Sequence, residues 1–338
     1  MYRLLHVGLG PLGVRFLQDY ADRGFARPVG VVDVSPDLAG RPIAHAVRKS
    51  PFSGAILPSL DAFDAWRDVD AAVVTTSSDL AACASTFRAL LSRGVTVIST
   101  CEELTWPYLR HPELSRELHA LALKHGGRLL GTGVNPGFLM DAFPAFVTTV
   151  CKAVKSIEIH RIQDATTRRI PFQKKIGATL DARAFRAGVK AGWLRHVGLG
   201  ESLHFLAAAM GWRVDRWKET IAPVPAGRAM RCGLGSIRKG DACGVRQTAT
   251  GISGGRTVLK FIFQAAIGQP DPHDRVIVKG EPGVDVVFSG GVHGDIATSS
   301  ITINAIPPLL AAPPGLHTML SIPMPHFAAP AGMVVSGA

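Results

Sequence analysis

Glu102 and Glu103 stand side by side in the stretch VISTCEELTWP, residues 97–107, at the end of an apolar run. A carboxylate at the rim of a strand, in a partly dry setting, has its pKa raised toward neutrality and can exchange protons there. A second group, VGLGPLG, sets Gly8, Gly10 and Gly13 in a G-x-G-x-x-G spacing, with Asp33 twenty residues after Gly13. This chemistry is pyrophosphate binding. The first glycine permits a tight turn, the second lets the backbone approach the anion, and the third lets helix and strand pack closely. Pro11 and Leu12 then form the first turn of a helix whose N-terminus faces the phosphates. Asp33 would take the adenosine ribose hydroxyls and repel a 2′-phosphate, which favours NAD over NADP, although Arg41 in DLAGRP can still reach a phosphate.

A third group, GTGVNPGF at 131–138, combines glycines that allow close backbone approach with a polar group, Asn135, and a pocket wall, Phe138. Each group has a plainer alternative. A bare glycine turn is the alternative to the first, and strand plus helix plus Asp33 outweigh it. Glu102 and Glu103 can both be helix-start carboxylates, and GTGVNPGF can be an ordinary strand-to-helix turn; those alternatives stay open.

Elements that position these groups are legible around them. YRLLHVG is a strand, PLGVRFLQDYADRG a helix opened by Pro11 and closed by Gly24, and VGVVD a second strand. AAVVTT and VTVIST are two further buried strands, separated by a helix framed by Ser/Asp and Arg-Gly. Thr76 closes the first of them and is a cofactor-binding candidate at the same rim. PELSRELHALALKHGG is a helix leading to a strand at RLLGTG. Strands alternating with helices predict a doubly wound parallel sheet of the Rossmann type, with ligands outside the carboxyl ends of its strands.

Past Gly137 the texture changes. FLMDAFPAFVTTVC reads as a helix, and SIEIHRIQDAT and RTVLKFIFQAAIG alternate as strands of an open mixed sheet suit. The end, GDIATSSITINAIPPLLAAPPGLHTML, reads as a helix stopped by prolines and followed by an extended tail whose last residues fray. The expected organisation is a dinucleotide-binding domain of residues 1–138 plus 293–338, and an α+β substrate-binding and dimerisation domain of residues 139–292.

Composition narrows the classes. A length of 338 residues with 47% apolar content suits two well-buried domains. No leader pattern and no membrane-length apolar run is present, so a soluble, cytoplasmic protein is expected. The five cysteines are scattered, with no C-x-x-C pair, and read as reduced, mostly buried thiols with no metal site. Cys101 adjoins the glutamates, but no histidine sits beside it, and a small apolar filler is the favoured reading. A net charge of +11 invites nucleic acid, yet the basic residues are spread without aromatic interleaving or zinc-finger spacing. RRIPFQKK, Arg168 to Lys175, is the one basic cluster, either a solvated face or a holder of an anionic group.

STCEEL.WP followed by GTGVNPGF.MD resembles the 2,4-diaminopentanoate dehydrogenase family, which includes the native amine dehydrogenases and shares its nucleotide domain with dihydrodipicolinate reductase. DATTRRIPFQKKIGATL, LHFLAAAMGW, GVHGDIATSSITINAIP and APPGLHTM extend the resemblance in order over nearly the whole chain. It implies NAD(P)-dependent oxidation of a primary amine to an imine that hydrolyses to a ketone and ammonia, or the reverse reductive amination of a ketone or aldehyde. In that family the first glutamate of the motif, here Glu102, handles the amine proton and faces the iminium; Glu103 is left a structural role. The resemblance to dihydrodipicolinate reductase itself stops at the nucleotide domain, since its paired histidines and P-S-G-T stretch are missing and His160 stands alone. A lone strand histidine is more often structural than a proton donor.

The expected protein is thus an NAD(P)-dependent amine dehydrogenase and homodimer, with its site in a cleft between domains. Arg168 or Arg169 either binds a substrate carboxylate or braces the domain. Two rivals remain: an imine or carbonyl reductase on the same fold, which would ignore ammonia, and a non-catalytic NAD(H)-binding regulator. The strand-end glutamate argues against the regulator.

Overall fold

Strand β1 (Tyr2–Val7) runs into Gly8, and helix α1 (Pro11–Arg23) starts at Pro11 and is closed by Gly24 in the left-handed conformation, φ 56°. The Gly24 N–H returns to Ala21 O at 3.1 Å, satisfying a helix-end carbonyl. The computed structural model describes residues 1–48 and 50–329. Its chain divides into two compact units, Met1–Phe138 with Gly294–Ala338, and Leu139–His293. The fraying expected of the last residues concerns 330–338, which lie outside the described residues.

In the first unit β2 (Ala26–Val32), a short α2 (Ile43–Ala46), β3 (Ala71–Val74), α3 (Leu80–Leu91), β4 (Thr96–Ser99), α4 (Pro112–His125) and β5 (Arg128–Gly131) follow. Every residue of β3 and β4 is buried, as parallel strands covered on both faces require. Helix α3 is fixed at its start by Asp79, whose side chain accepts from Ala82 N–H at 2.9 Å. Leu5, Val74, Val97, Leu129, Phe87 and Leu118 share one core, each side chain contributing about 1.5–3 kcal/mol on burial.

The second unit holds α5 (Ala142–Val147), β6 (Ala153–Asp164), α6 (Ile170–Lys175), α7 (Ala182–Lys190) and α8 (Leu199–Ala209). Then come β7 (Arg216–Pro225), the small hairpin β8 (Met230–Cys232) and β9 (Gly235–Ile237), β10 (Ala242–Ser253), β11 (Arg256–Ala266), β12 (His273–Glu281) and β13 (Val284–Ser289). The large sheet runs β13-β12-β6-β11-β10-β7, with β6 and β11 parallel and the other pairs antiparallel: the mixed open sheet expected. Helix α8 packs on β10 and β11, burying Leu203 and Leu206 with Ile157, Ile159 and Phe261. The helix expected over residues 138–151 is shorter. Asp141 caps it, accepting from Ala142 N–H at 2.7 Å, and it gives way to a 3-10 turn at Thr148–Val150. Val147, Thr148, Thr149 and Val150 are four β-branched residues in a row, which penalises a longer helix.

The chain then returns to the first unit through α9 (Gly294–Ala311) and β14 (Gly315–His317). Pro307 and Pro308 do not stop α9; they lie inside it. An interior proline costs about 3 kcal/mol, but Ile303, Ile306 and Leu309 are fully buried on this helix and each returns about 1.5–3 kcal/mol. The expected extended tail likewise contains β14, which pairs parallel to β5. The first sheet is therefore β14-β5-β4-β3-β1-β2, parallel throughout. β2 and β3 flank β1 on opposite sides, so the order of strands reverses at the end of β1, where Gly8 lies.

Candidate functional site

Backbone and carbonyls, more than side chains, shape the loop after β1. Gly8 has φ +100°, and a Cβ there would lie 2.9 Å from Thr76 Cγ2. A Cβ on Gly13 would fall 2.0 Å from Gly8 O, so α1 and β1 could not pack as they do with any other residue. A Cβ on Gly10 would meet nothing within 4 Å: it would fill the open space in front of the α1 N-terminus, where an anion would approach. Pro11 beside it is exposed and Leu12 half-buried.

His6 and Thr75, which the sequence reading passed over, hold this loop. The Gly8 carbonyl accepts from His6 Nε2–H at 3.0 Å and from Thr75 Oγ1 at 2.8 Å. A carbonyl only accepts, so Nε2 carries the proton and Nδ1 accepts from Tyr20 OH at 3.3 Å. Burial pushes the His6 imidazolium down to about pKa 4, against the Gly8 carbonyl and Asp33, which favour it, and the ring is neutral. A histidine inside an apolar strand was the available signal, because a buried ring must find partners.

The Asp33 carboxylate, at the end of β2, accepts from Leu9 N–H at 2.6 Å and from Ser35 N–H at 2.8 Å. It thus sits against the glycine loop, half-buried, while Arg41 is exposed in the turn before α2. Thr76 is exposed just past β3.

After β4, Ser99 Oγ donates to Val74 O at 2.8 Å and accepts from Cys101 N–H at 3.1 Å, turning the chain into a single 3-10 turn, Glu102–Thr105. The two glutamates part company here. Glu103 is buried, accepts from Leu80 N–H at 3.0 Å and lies 2.9 Å from His111 Nε2, while its own N–H donates to Ser78 O at 3.2 Å. It caps the neighbouring helix α3. Glu102, the residue before Glu103, is half-buried.

After β5, Gly137 has φ +121°, and a Cβ there would lie 2.5 Å from Gly133 N. The turn it closes carries buried Asn135 and leads to half-buried Phe138. Val134 N–H donates to Thr298 Oγ1 of α9 at 3.3 Å, fixing the turn from below. Because Val7 aligns with Val74, Val74 with Ser99 and Ser99 with Gly131, the segments bearing Gly8, Thr76, Glu102 and Asn135 follow one another along the same sheet edge. At about 4.8 Å per strand, the row from β1 to β5 spans about 14 Å.

Arg168 and Arg169 belong to the second unit, in the turn between β6 and α6. Buried Gln173 holds that turn, donating from Nε2 to the carbonyls of Ala165, Thr166 and Arg168 at 3.1, 3.2 and 2.9 Å and accepting from Gly233 N–H at 2.8 Å. The Arg168 guanidinium lies over the Phe172 ring at 4.3 Å. Thr167 and Arg168 line a cavity of about 220 Å³ with Gln163, Asp164, Val292 and His293. Nearby, the buried pair Arg161–Asp274, 2.8 Å apart, clamps Val292, whose N–H donates to Asp274 at 2.7 Å. His160 is engaged with Glu158 at 2.8 Å, as a structural histidine would be. Among the described residues no group of His, Cys, Asp and Glu could hold a metal ion, and no helix is long and apolar enough to cross a membrane.

Residues 138–333, more than half of the chain, match the family model of the 2,4-diaminopentanoate dehydrogenase C-terminal domain. The chain is 27% identical to the 2,4-diaminopentanoate dehydrogenase of Acetoanaerobium sticklandii over 332 residues, covering 96% of this chain and 94% of that one. Among solved structures, it resembles the amine dehydrogenase from Mycobacterium smegmatis with a TM-score of 0.82, at 22% identity and with 97% of each chain covered. A UDP-N-acetylglucosamine 3-dehydrogenase from Acidithiobacillus ferrooxidans shares the fold less closely, with a TM-score of 0.52 at 15% identity, covering 94% of this chain and 92% of that one.

Proposed function

Since the chain belongs to the 2,4-diaminopentanoate dehydrogenase C-terminal domain family, we propose that it is an NAD-dependent dehydrogenase acting on the CH–NH2 group of a small primary amine. The same catalyst would carry out reductive amination of the corresponding ketone or aldehyde with ammonia, and NADP is the less favoured cofactor. The observation that carries this reading is the row of strand ends, in which the segments bearing Gly8, Thr76, Glu102 and Asn135 follow one another along one sheet edge. Glu103 caps α3 through Leu80 N–H.

The first unit suits a dinucleotide. Gly10 leaves open space before the α1 N-terminus, Gly8 and Gly13 hold the turn, Pro11 and Leu12 supply the helix start, and Asp33 lies within reach of the ribose end. When bound, the nicotinamide accepts or supplies the hydride. Thr76 and Asn135 are proposed to position the cofactor, and Phe138 to wall the substrate side. In the oxidative direction the Glu102 carboxylate takes a proton from the substrate ammonium, leaving the free amine whose carbon can give up hydride. The same carboxylate then faces the iminium nitrogen as its counter-charge and returns a proton in the reverse direction.

In the second unit, Arg168 or Arg169 is proposed to bind a substrate carboxylate, a group that the named substrate of the curated relative carries. That unit is also the proposed dimerisation domain. Ile162, Ile262 and Ile277 share the sheet face opposite α8 with Thr248 and Arg275, and a second copy is the occupant we favour. The deciding experiment is NADH oxidation over a panel of ketones and aldehydes, with and without ammonium. Turnover that requires ammonium supports the amine reading; ammonium-independent turnover would replace it with a carbonyl reductase, and no turnover with tight NADH binding would favour the regulator.

A further inference from the structure

Two cysteines from different elements meet beside Glu102. Cys83 lies in the first turn of α3 and Cys101 precedes Glu102 directly, and each is 1% exposed. Cys83 Sγ sits 3.6 Å from Ser77 O and 3.5 Å from Thr76 Oγ1, and Cys101 Sγ sits 3.4 Å from Ser78 O. Consecutive carbonyls therefore anchor the two sulfurs, and each thiol is close enough to influence the other's proton. That neighbourhood eases loss of the first proton, bringing Cys83 down to about 7, and opposes loss of the second, raising Cys101. Elsewhere Cys243 Sγ meets Val224 O, Cys151 Sγ meets Pro282 O, and burial pushes the Cys243 thiol up. The loop over the pair is exposed at Thr76 and Asp79.

We propose that Cys83 and Cys101 are an oxidisable dithiol, a modification site that hydrogen peroxide converts to an intramolecular disulfide. The Cys83 thiolate attacks a peroxide oxygen; an S–O bond forms, the O–O bond breaks, and hydroxide leaves and takes up a proton as water. Cys101 sulfur then attacks the Cys83 sulfenic sulfur; the S–S bond forms, the S–O bond breaks, and hydroxide leaves with the Cys101 proton as a second water. Two thiols are oxidised by two electrons and one peroxide is reduced to two waters. A disulfide brings the sulfurs to about 2.05 Å, drawing the Glu102 turn onto α3 and taking Cys83 away from Thr76. Loss of turnover on oxidation follows if Glu102 has the role proposed above; the disulfide itself does not depend on that role.

The test uses the full chain with all its cysteines. Protein is treated with graded hydrogen peroxide, alkylated, digested and mapped by mass spectrometry, with NADH-dependent turnover followed before and after dithiothreitol. The expected result is a peptide joining Cys83 to Cys101, two hydrogens lighter than its reduced parts, with most turnover lost and both changes reversed by the thiol. Cys83→Ser should form no such peptide and keep its turnover at the same peroxide dose. Oxidation confined to Cys151 and Cys232, with Cys83 and Cys101 still alkylated, overturns the proposal. A linked peptide with unchanged turnover keeps the dithiol and overturns its effect on Glu102; should no amine or ketone be a substrate, the peptide map still decides.

Discussion

Glu103 and His111 lie 2.9 Å apart, carboxylate to Nε2, and the same carboxylate accepts the Leu80 N–H at the start of α3. One residue of an adjacent acidic pair is thereby built into the scaffold. The expected consequence separates the pair by variant. Glu102→Gln should slow both oxidation and reductive amination on the order of a hundredfold, the usual scale for removing a general acid or base, while NADH binding measured by fluorescence stays intact. Glu103→Gln should keep most turnover per folded molecule but lose about 1–2 kcal/mol of stability, from the weakened cap at Leu80 and the lost His111 partner. Near-normal amination in Glu102→Gln, with loss in Glu103→Gln, would reverse the assignment.

Asp33 carries the cofactor prediction. NADH should be preferred over NADPH, and Asp33→Ala should narrow the gap by about 1 kcal/mol or more, the scale of a charge pair in a partly exposed site. Because Asp33 also accepts the Leu9 N–H, NADH itself should bind more weakly to the variant. Titrations of both cofactors against both proteins are the measurement, and wild-type preference for NADPH would contradict the reading.

The two arginines before α6 should respond differently. Arg168 lines the cavity and stacks on Phe172, so Arg168→Leu should cost stability as well as binding. If Arg169 pairs with a substrate carboxylate, Arg169→Leu should raise the Michaelis constant for carboxylated amines and spare neutral ones. Equal losses on both substrate types would assign it to bracing.

Acid should destabilise the fold through His6 and His196. Burial lowers both imidazoles, His6 to about 4 and His196 well below its usual range. Above pH 6.5 neither folded nor unfolded ring is protonated, and their contribution is flat. Below it the unfolded rings bind protons that the folded ones refuse, so stability falls as pH drops from 6.5 toward 4, by up to about 1.4 kcal/mol per pH unit for each group. Denaturant unfolding at several pH values should show His6→Gln falling less steeply than the wild type; parallel curves would mean that His6 titrates normally.

Much of this was legible because it is local. Gly8, Gly10, Gly13 and Asp33 read as a phosphate turn because each acts through its own backbone or the next strand, and α3 read from its own Asp79 cap. What escaped was set by distant partners. His111 is eight residues from Glu103 and Leu80 is 23 residues away, and no periodicity links them. Cys83 looked like one more core position of α3 until Cys101 was placed beside it. Strand β14 is three residues long, too short to show alternation, and Pro307 and Pro308 read as a stop because the burial that offsets them lies in other elements.

That short strand has a consequence for how the chain is made. β5 leaves the ribosome before any of the second unit, while α9 and β14, which complete its sheet, come after all of it. At ordinary synthesis rates the interval is roughly 10–40 s, during which β5 presents an unpaired parallel edge. Chains released early keep that edge for good, so truncated products of this protein should be the ones that recruit strands from their neighbours and precipitate.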